Sequence, residues 1–262
     1  MESGDDKRLG RVREDGRKPA VWPLTVGFRL ALDDGAGASF TESGLSMDRQ
    51  PRHVPGIEAI VFDLLTALVD SWSLWIEIAG DERLGRCWRT ASLRRVTSTG
   101  KYRAYEEIVH EVTEDVGLPS ARADELLGRW RDLKPWPEAP GVLDALADRR
   151  LAILTNCSQA LAEQATAATG GTFEPVMSAE RAGIYKPAAR AYRAALSALD
   201  LPADKVLFVA GSAHDVSGAA GVGMTVYWSN RQGLDIPADA RPRVINASDL
   251  EALPDVVTSA SV

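Results

Sequence analysis

Cysteine is nearly absent: Cys87 and Cys157 are the only two in 262 residues. Two thiols make no disulfide framework in a chain of this length, and they lack the paired spacing of a metal knuckle. Both read as reduced thiols, which suits a cytoplasmic protein. Long apolar runs are also missing. No stretch reaches the ~18 residues that a membrane-spanning helix needs. The apolar run Leu24–Leu32 is broken by Arg29 and preceded by mixed acids and bases, a poor match to a signal peptide. Basic charge is in deficit: 30 Lys and Arg against 37 Asp and Glu leave a formal charge of -7. The arginines are interleaved with acids, so no positive field for nucleic acid is expected. No internal repeat is found.

What remains is an ordinary globular composition, 45% hydrophobic and 26% charged. Residues 1–55 are rich in Gly, Asp, Arg and Ser and read as a flexible N-terminal extension. One short strand candidate falls over Leu24–Leu32, and Met47 is an alternative translation start. At Ile57 the pattern changes to Ile-Glu-Ala-Ile-Val-Phe-Asp, a β-branched apolar run that ends in a carboxylate at Asp63. Helical patterns follow from Ser71 to about Leu133, with Trp72, Trp75, Trp88 and Trp130 placed to line apolar faces. Pro135, Pro137 and Pro140 mark a boundary.

Beyond the prolines, strands alternate with helices. The strands are expected at Leu151–Thr155, near Pro175–Met177, at Lys205–Ala210 and at Met224–Trp228. The helices are expected at Gly141–Asp148, Ser158–Ala168, Ala188–Ala198 and Ala213–Ala220. Such alternation predicts an α/β fold, a doubly wound parallel sheet covered on both faces. In such sheets ligands bind at the carboxyl ends of the strands. Asp63, Thr155-Asn156 and the run Gly211-Ser212-Ala213-His214-Asp215 all fall there.

Four segments in order resemble the motifs of the haloacid dehalogenase superfamily: Val61–Leu68 around Asp63, Ile153–Asn156, Tyr185-Lys186-Pro187, and Val209–Asp215. The resemblance covers about residues 57–250 and implies a Rossmann-like core over 56–70 and 137–262, with a helical cap, 71–136, inserted after the first strand. Phosphatases of that superfamily hold Mg²⁺ with further carboxylates where this chain has Leu65 and Gly211. The chain therefore looks more like the metal-independent (S)-2-haloacid dehalogenases, and no cofactor or metal is expected. Trp88-Arg89, the Lys186 to Tyr192 spacing and Trp228-Ser229-Asn230-Arg231 are similar to features of that branch. Its usual threonine four residues after the nucleophile stands one place early, as Thr66.

The resemblance implies a nucleophilic Asp63, a general base in Asp215 and a Lys186 that keeps Asp63 ionised. It implies substrate contacts from Arg89, Thr155, Asn156, Tyr192, Ser212 and His214. The partners would be a small 2-haloacid and water, with no nucleic acid or membrane; a homodimer is left open. Structural roles compete at each position. Asp63 can cap a turn, Asp215 can serve a helix dipole, Lys186 can be a surface residue, and Arg89 can simply pack. Asn156 can cap a helix, Tyr192 can be core, and His214 can be structural. The rival functions are hydrolysis of another small substrate such as a phosphate ester, and a non-catalytic protein that retains the fold.

Overall fold

The computed structural model describes residues 53–258. The expected strand over Leu24–Leu32, the Met47 start and most of the extension lie outside them. Six strands form one parallel sheet in the order β3-β2-β1-β4-β5-β6. They are β1 (Ala59–Phe62), β2 (Arg150–Thr155), β3 (Val176–Ser178), β4 (Val206–Ala210), β5 (Thr225–Ser229) and β6 (Val244–Ala247). This is the doubly wound sheet expected from the alternating pattern. The chain runs outward from β1 through β2 to β3, then crosses back to β4 on the other side of β1. That reversal opens a crevice at the carboxyl ends of β1 and β4.

The alternation of side chains along β1 explains its continuous apolar sequence. Ile60 and Phe62 enter one core layer while Ala59 and Val61 enter the other, and all four are buried. One layer holds α5 (Ala139–Ala145), α6 (Gln159–Ala167) and α10 (Leu253–Val257); the other holds α8 (Ala189–Leu199) and α9 (Ala213–Gly221). A short α7 (Ala179–Ala182) follows β3.

Ahead of α5 in the connection from β1 to β2 come four helices: α1 (Ser71–Ala79), α2 (Glu82–Ser98), α3 (Tyr105–Asp115) and α4 (Ala121–Gly128). Asp70 and Asp81 cap the first two by accepting from Ser73 N and Leu84 N. The chain leaves and re-enters the sheet layer along paired segments. Asp70 N donates to Lys134 O at 2.9 Å, and Trp136 N to Leu68 O at 2.9 Å. Trp75, Trp88 and Trp130 are fully buried in the layer that also holds Ile60 and Phe62, whereas Trp72 is half-buried. Among the described residues no helix is long and apolar enough to cross a membrane.

Three details differ from expectation. β6 and α10 have no counterpart in the sequence reading, because β6 is a half-exposed edge strand of four residues without an apolar run. Pro140 sits inside the first turn of α5 rather than before it, where a missing N–H costs no hydrogen bond. The helical pattern up to Leu133 breaks at residues 99–104, where Lys101 forms a β-bridge with Ile184.

Candidate active site

Asp63 follows the last residue of β1, and its backbone N–H continues the sheet by donating to Val209 O at 2.9 Å. Its extended backbone then feeds a single π-helical turn, Leu64–Leu68, closed by Val69 N donating to Leu64 O at 3.0 Å. The Asp63 side chain caps that turn. Oδ2 accepts from Thr66 N at 2.9 Å, Thr66 Oγ1 at 2.6 Å and Ala67 N at 3.3 Å. The early threonine thus still reaches the carboxylate. Among the described residues Oδ1 has one partner, the Lys186 ammonium at 2.7 Å. Turn-capping and ion pairing are therefore both present, one on each oxygen.

Lys186 Nζ also donates to Asp215 Oδ2 at 2.9 Å, so one ammonium bridges two carboxylates. All three side chains are nearly sealed from solvent: Asp63 is 5% exposed, Lys186 2% and Asp215 4%. Burying charge is costly unless it is paired, and the bridge supplies that pairing. One cation serving two anions leaves the aspartates unequal. Burial pushes Asp63 up, but the Lys186 charge and the donors from Lys186 and Thr66 outweigh it and hold Asp63 below its usual value. Asp215 moves up, because burial and the Asp63 charge outweigh help from Lys186 and Tyr192. Burial alone would lower Lys186, but the Asp215 and Asp63 charges raise it. Environments that separate two carboxylates in this way divide nucleophile from base.

Asp215 lies in the first turn of α9, capped by Ser212, whose Oγ is 3.4 Å from both Asp215 N and Asp215 Oδ2. From α8, the buried Tyr192 hydroxyl donates to Asp215 Oδ1 at 2.8 Å. The phenol lies against Gly218, where an added Cβ would fall 2.5 Å from the Tyr192 oxygen.

Above these groups is a small cavity of about 40 Å³ lined by Asp63, Lys186, Asp215, Asn156, Ser212 and His214, and closed by Leu65, Thr66 and α2. Water needs ~10–15 Å³ on this measure, so the space holds about three water-sized groups. From α2 come Arg89, Leu93, Val96 and Thr97. The last three were not singled out from sequence, although their i+4, i+7 and i+8 spacing from Arg89 marks one helix face.

Arg89 is 2% exposed, donates from Nε to Ser71 Oγ at 3.3 Å, and has its guanidinium 5.3 Å from the Trp75 ring centroid and 5.9 Å from that of Trp72. It has no carboxylate partner among the described residues. Ser71 in turn donates to Leu65 O at 2.6 Å, tying Arg89 to the turn after Asp63. A buried guanidinium without a counter-ion is a seat for an anion.

The remaining expected contacts divide. His214 is exposed at the rim of the cavity. Asn156 lines the cavity, but its amide also grips the Lys186 backbone, and the N-cap of α6 is Ser158 rather than Asn156. Thr155 does not line the cavity; it is fully buried with its hydroxyl 3.8 Å from Cys157 Sγ. Tyr192 reaches the site only through Asp215. The Trp228–Arg231 run lies away from the cavity: Asn230 bonds Leu234 and Asn246, and Arg231 pairs with Glu138 and lies over the Trp136 ring.

The donor set does not suit a hard divalent cation, which needs several oxygens. Leu65 presents a hydrocarbon side chain to the cavity. At Gly211 an added Cβ would lie 2.3 Å from the Thr66 carbonyl carbon, so no carboxylate side chain fits there without moving the turn after Asp63. Among the described residues no group of three or more His, Cys, Asp or Glu side chains is gathered.

A doubly wound sheet with this cluster at its crevice belongs with the hydrolases. The family model for haloacid dehalogenase-like hydrolases matches residues 57–223, and the chain belongs to that family. It is 33% identical over 197 residues to haloacetate dehalogenase H-2 of Moraxella sp. (strain B), covering 68% of this chain and 88% of that protein. To (S)-2-haloacid dehalogenase H-109 of Pseudomonas putida it is 30% identical over 195 residues, covering 68% and 87%. The crystal structure of an L-2-haloacid dehalogenase superposes with a TM-score of 0.69 at 26% identity, covering 78% of this chain and 100% of that one.

Proposed function

We propose that the protein hydrolyses a small 2-haloacid to the 2-hydroxy acid through an ester on Asp63. The observation that carries this reading is that Asp63, ion-paired to Lys186, and a buried Arg89 with no carboxylate partner among the described residues line the same cavity. Arg89 takes the substrate carboxylate or the departing halide, and helices α1–α4 serve as the cap that delivers it. Asp63 Oδ1, with Lys186 as its one partner, keeps a lone pair for in-line attack on the carbon that bears the halogen. The new C–O bond forms as the carbon–halogen bond breaks and halide leaves. Covalent catalysis divides one difficult displacement into two easier steps.

Water then adds to Cγ of the Asp63 ester, and Asp215 takes its proton. Negative charge develops on Oδ2, which already faces three donors from Thr66 and Ala67. Those donors form a ready oxyanion hole. Collapse breaks the acyl C–O bond, the leaving alkoxide takes the proton from Asp215, and the second water proton passes to solvent, so both carboxylates return and Asp63 carries one oxygen from water. The small, largely apolar walls exclude bulk water and favour a substrate of few atoms.

Halide release from chloroacetate and 2-chloropropionate, with and without chelator and beside a panel of phosphate esters, tests the reading. Release that is insensitive to chelator supports it. Phosphate release without halide release refutes it in favour of the phosphatase alternative, and inactivity on every substrate points to a non-catalytic role.

A further inference from the structure

Lys186 is the cation on which both aspartates depend, yet it belongs to no strand or helix. It lies in the connection between α7 and α8, whereas Asp63 and Asp215 are fixed by the end of β1 and the first turn of α9. Something must hold that connection to the sheet at hydrogen-bond precision. Asn156, the residue after β2, does so with both ends of its side-chain amide. Its Oδ1 accepts from Lys186 N at 2.8 Å, and its Nδ2 donates to Lys186 O at 3.0 Å. The two bonds close a ring in which the side-chain amide imitates a neighbouring strand.

We infer that Asn156 is a positioning residue that fixes the Lys186 ammonium between Asp63 and Asp215 by gripping the Lys186 backbone. An amide carries two N–H donors. One is spent on Lys186 O, and the second is left for the cavity that Asn156 lines. β2 is bonded in register to β1, with Ile153 opposite Phe62, so the grip refers Lys186 to the strand that carries Asp63. Other ties to the connection fall on the residues before Lys186: the Lys101–Ile184 bridge and the Tyr185 hydroxyl donating to Arg103 O at 2.7 Å.

The inference rests on Asp63 being the ionised nucleophile, and its test needs no substrate. The charged and titratable groups around Asp63 and Lys186 are Asp215 and His214 from α9, Tyr192 from α8, Arg89 from α2 and Cys157 after β2. Carbon-13 NMR of labelled aspartate, assigned with Asp63→Asn, follows the Asp63 carboxylate as pH falls. Asn156→Ala is expected to raise the Asp63 titration by about one unit, the lower end of the effect of a nearby opposite charge. In a Lys186→Met background the same substitution is expected to add nothing, since the route through the ammonium is gone.

Asn156→Ser offers a second variant should the alanine form not fold, with the same direction expected. An unmoved Asp63 titration, or an equal rise with and without Lys186, overturns the inference. Wild-type inactivity toward haloacids would instead refute the dehalogenase reading and leave the titration result intact.

Discussion

Removing the Tyr192 hydroxyl should move the acid limb of the pH–rate profile upward. Tyr192 is fully buried, and its hydroxyl donates to Asp215 Oδ1 at 2.8 Å. Tyr192→Phe keeps the ring, which packs edge-on to Phe208 at 5.4 Å, and deletes one donor to a carboxylate. A hydrogen bond to a charged group contributes about 1.5–3 kcal/mol. At 1.36 kcal/mol per unit this is a rise of about one to two units in the Asp215 titration. The sign follows from the direction already present. Burial and the Asp63 charge hold Asp215 above 3.8, and the Tyr192 donor opposes that rise, so its loss frees a further upward shift.

A base must be unprotonated to act, and Asp215 acts in the ester hydrolysis that follows halide loss, so kcat should rise with pH through an apparent value above that of an ordinary aspartate, and higher still in the variant. That apparent value belongs to the coupled Asp63–Lys186–Asp215 trio as a whole. Steady-state halide-release rates at saturating chloroacetate between about pH 4 and 9, at constant ionic strength, give the acid limb for wild type and variant. At pH well above the limb, the variant should regain most of the wild-type rate. A limb that stays in place, or moves down, would refute the assignment of Asp215 as the base held in check by Tyr192.

Two further outcomes follow from the cavity and the turn. Thr66→Val removes the 2.6 Å hydroxyl donor to Asp63 Oδ2. Loss of one oxyanion donor costs about 10²–10³ in rate, and the loss should fall on ester hydrolysis, so rapid-quench kinetics should show a burst of halide followed by a slow steady rate. Val96→Ala opens the cavity wall on α2; a methylene in an apolar pocket is worth about 1–3 kcal/mol, so kcat/KM for 2-chloropropionate relative to chloroacetate should rise roughly tenfold.

The candidate site at the carboxyl edge of the sheet was legible because its signals are local. An apolar run ending in Asp63, a Lys-Pro dipeptide and an aspartate in the first turn of a helix each announce themselves within a few residues. The strand order was also within reach, since alternating elements with right-handed crossovers leave few sheets to choose from. What escaped was set by distant partners. The Asn156 grip on Lys186 joins residues 30 apart. Nothing in the sequence around Leu93, Val96 and Thr97 says that this face of α2 closes over Asp63 rather than over another helix. Thr155 was expected at the ligand because it ends β2, but the strand's alternation turns it inward to Cys157, and Asn156 is the first residue free to face the crevice. β6 was missed because an edge strand with mixed exposure carries no buried apolar run.

Labelling of Asp63 by solvent oxygen tests the covalent mechanism most directly. With enzyme in excess over chloroacetate in heavy-oxygen water, one turnover should place the label in the peptide that contains Asp63 and leave the first hydroxy acid product unlabelled. Asp215→Asn should let the ester itself accumulate on the same peptide. Heavy oxygen in the first product, with none in Asp63, would mean that water attacks the substrate directly and would contradict the account.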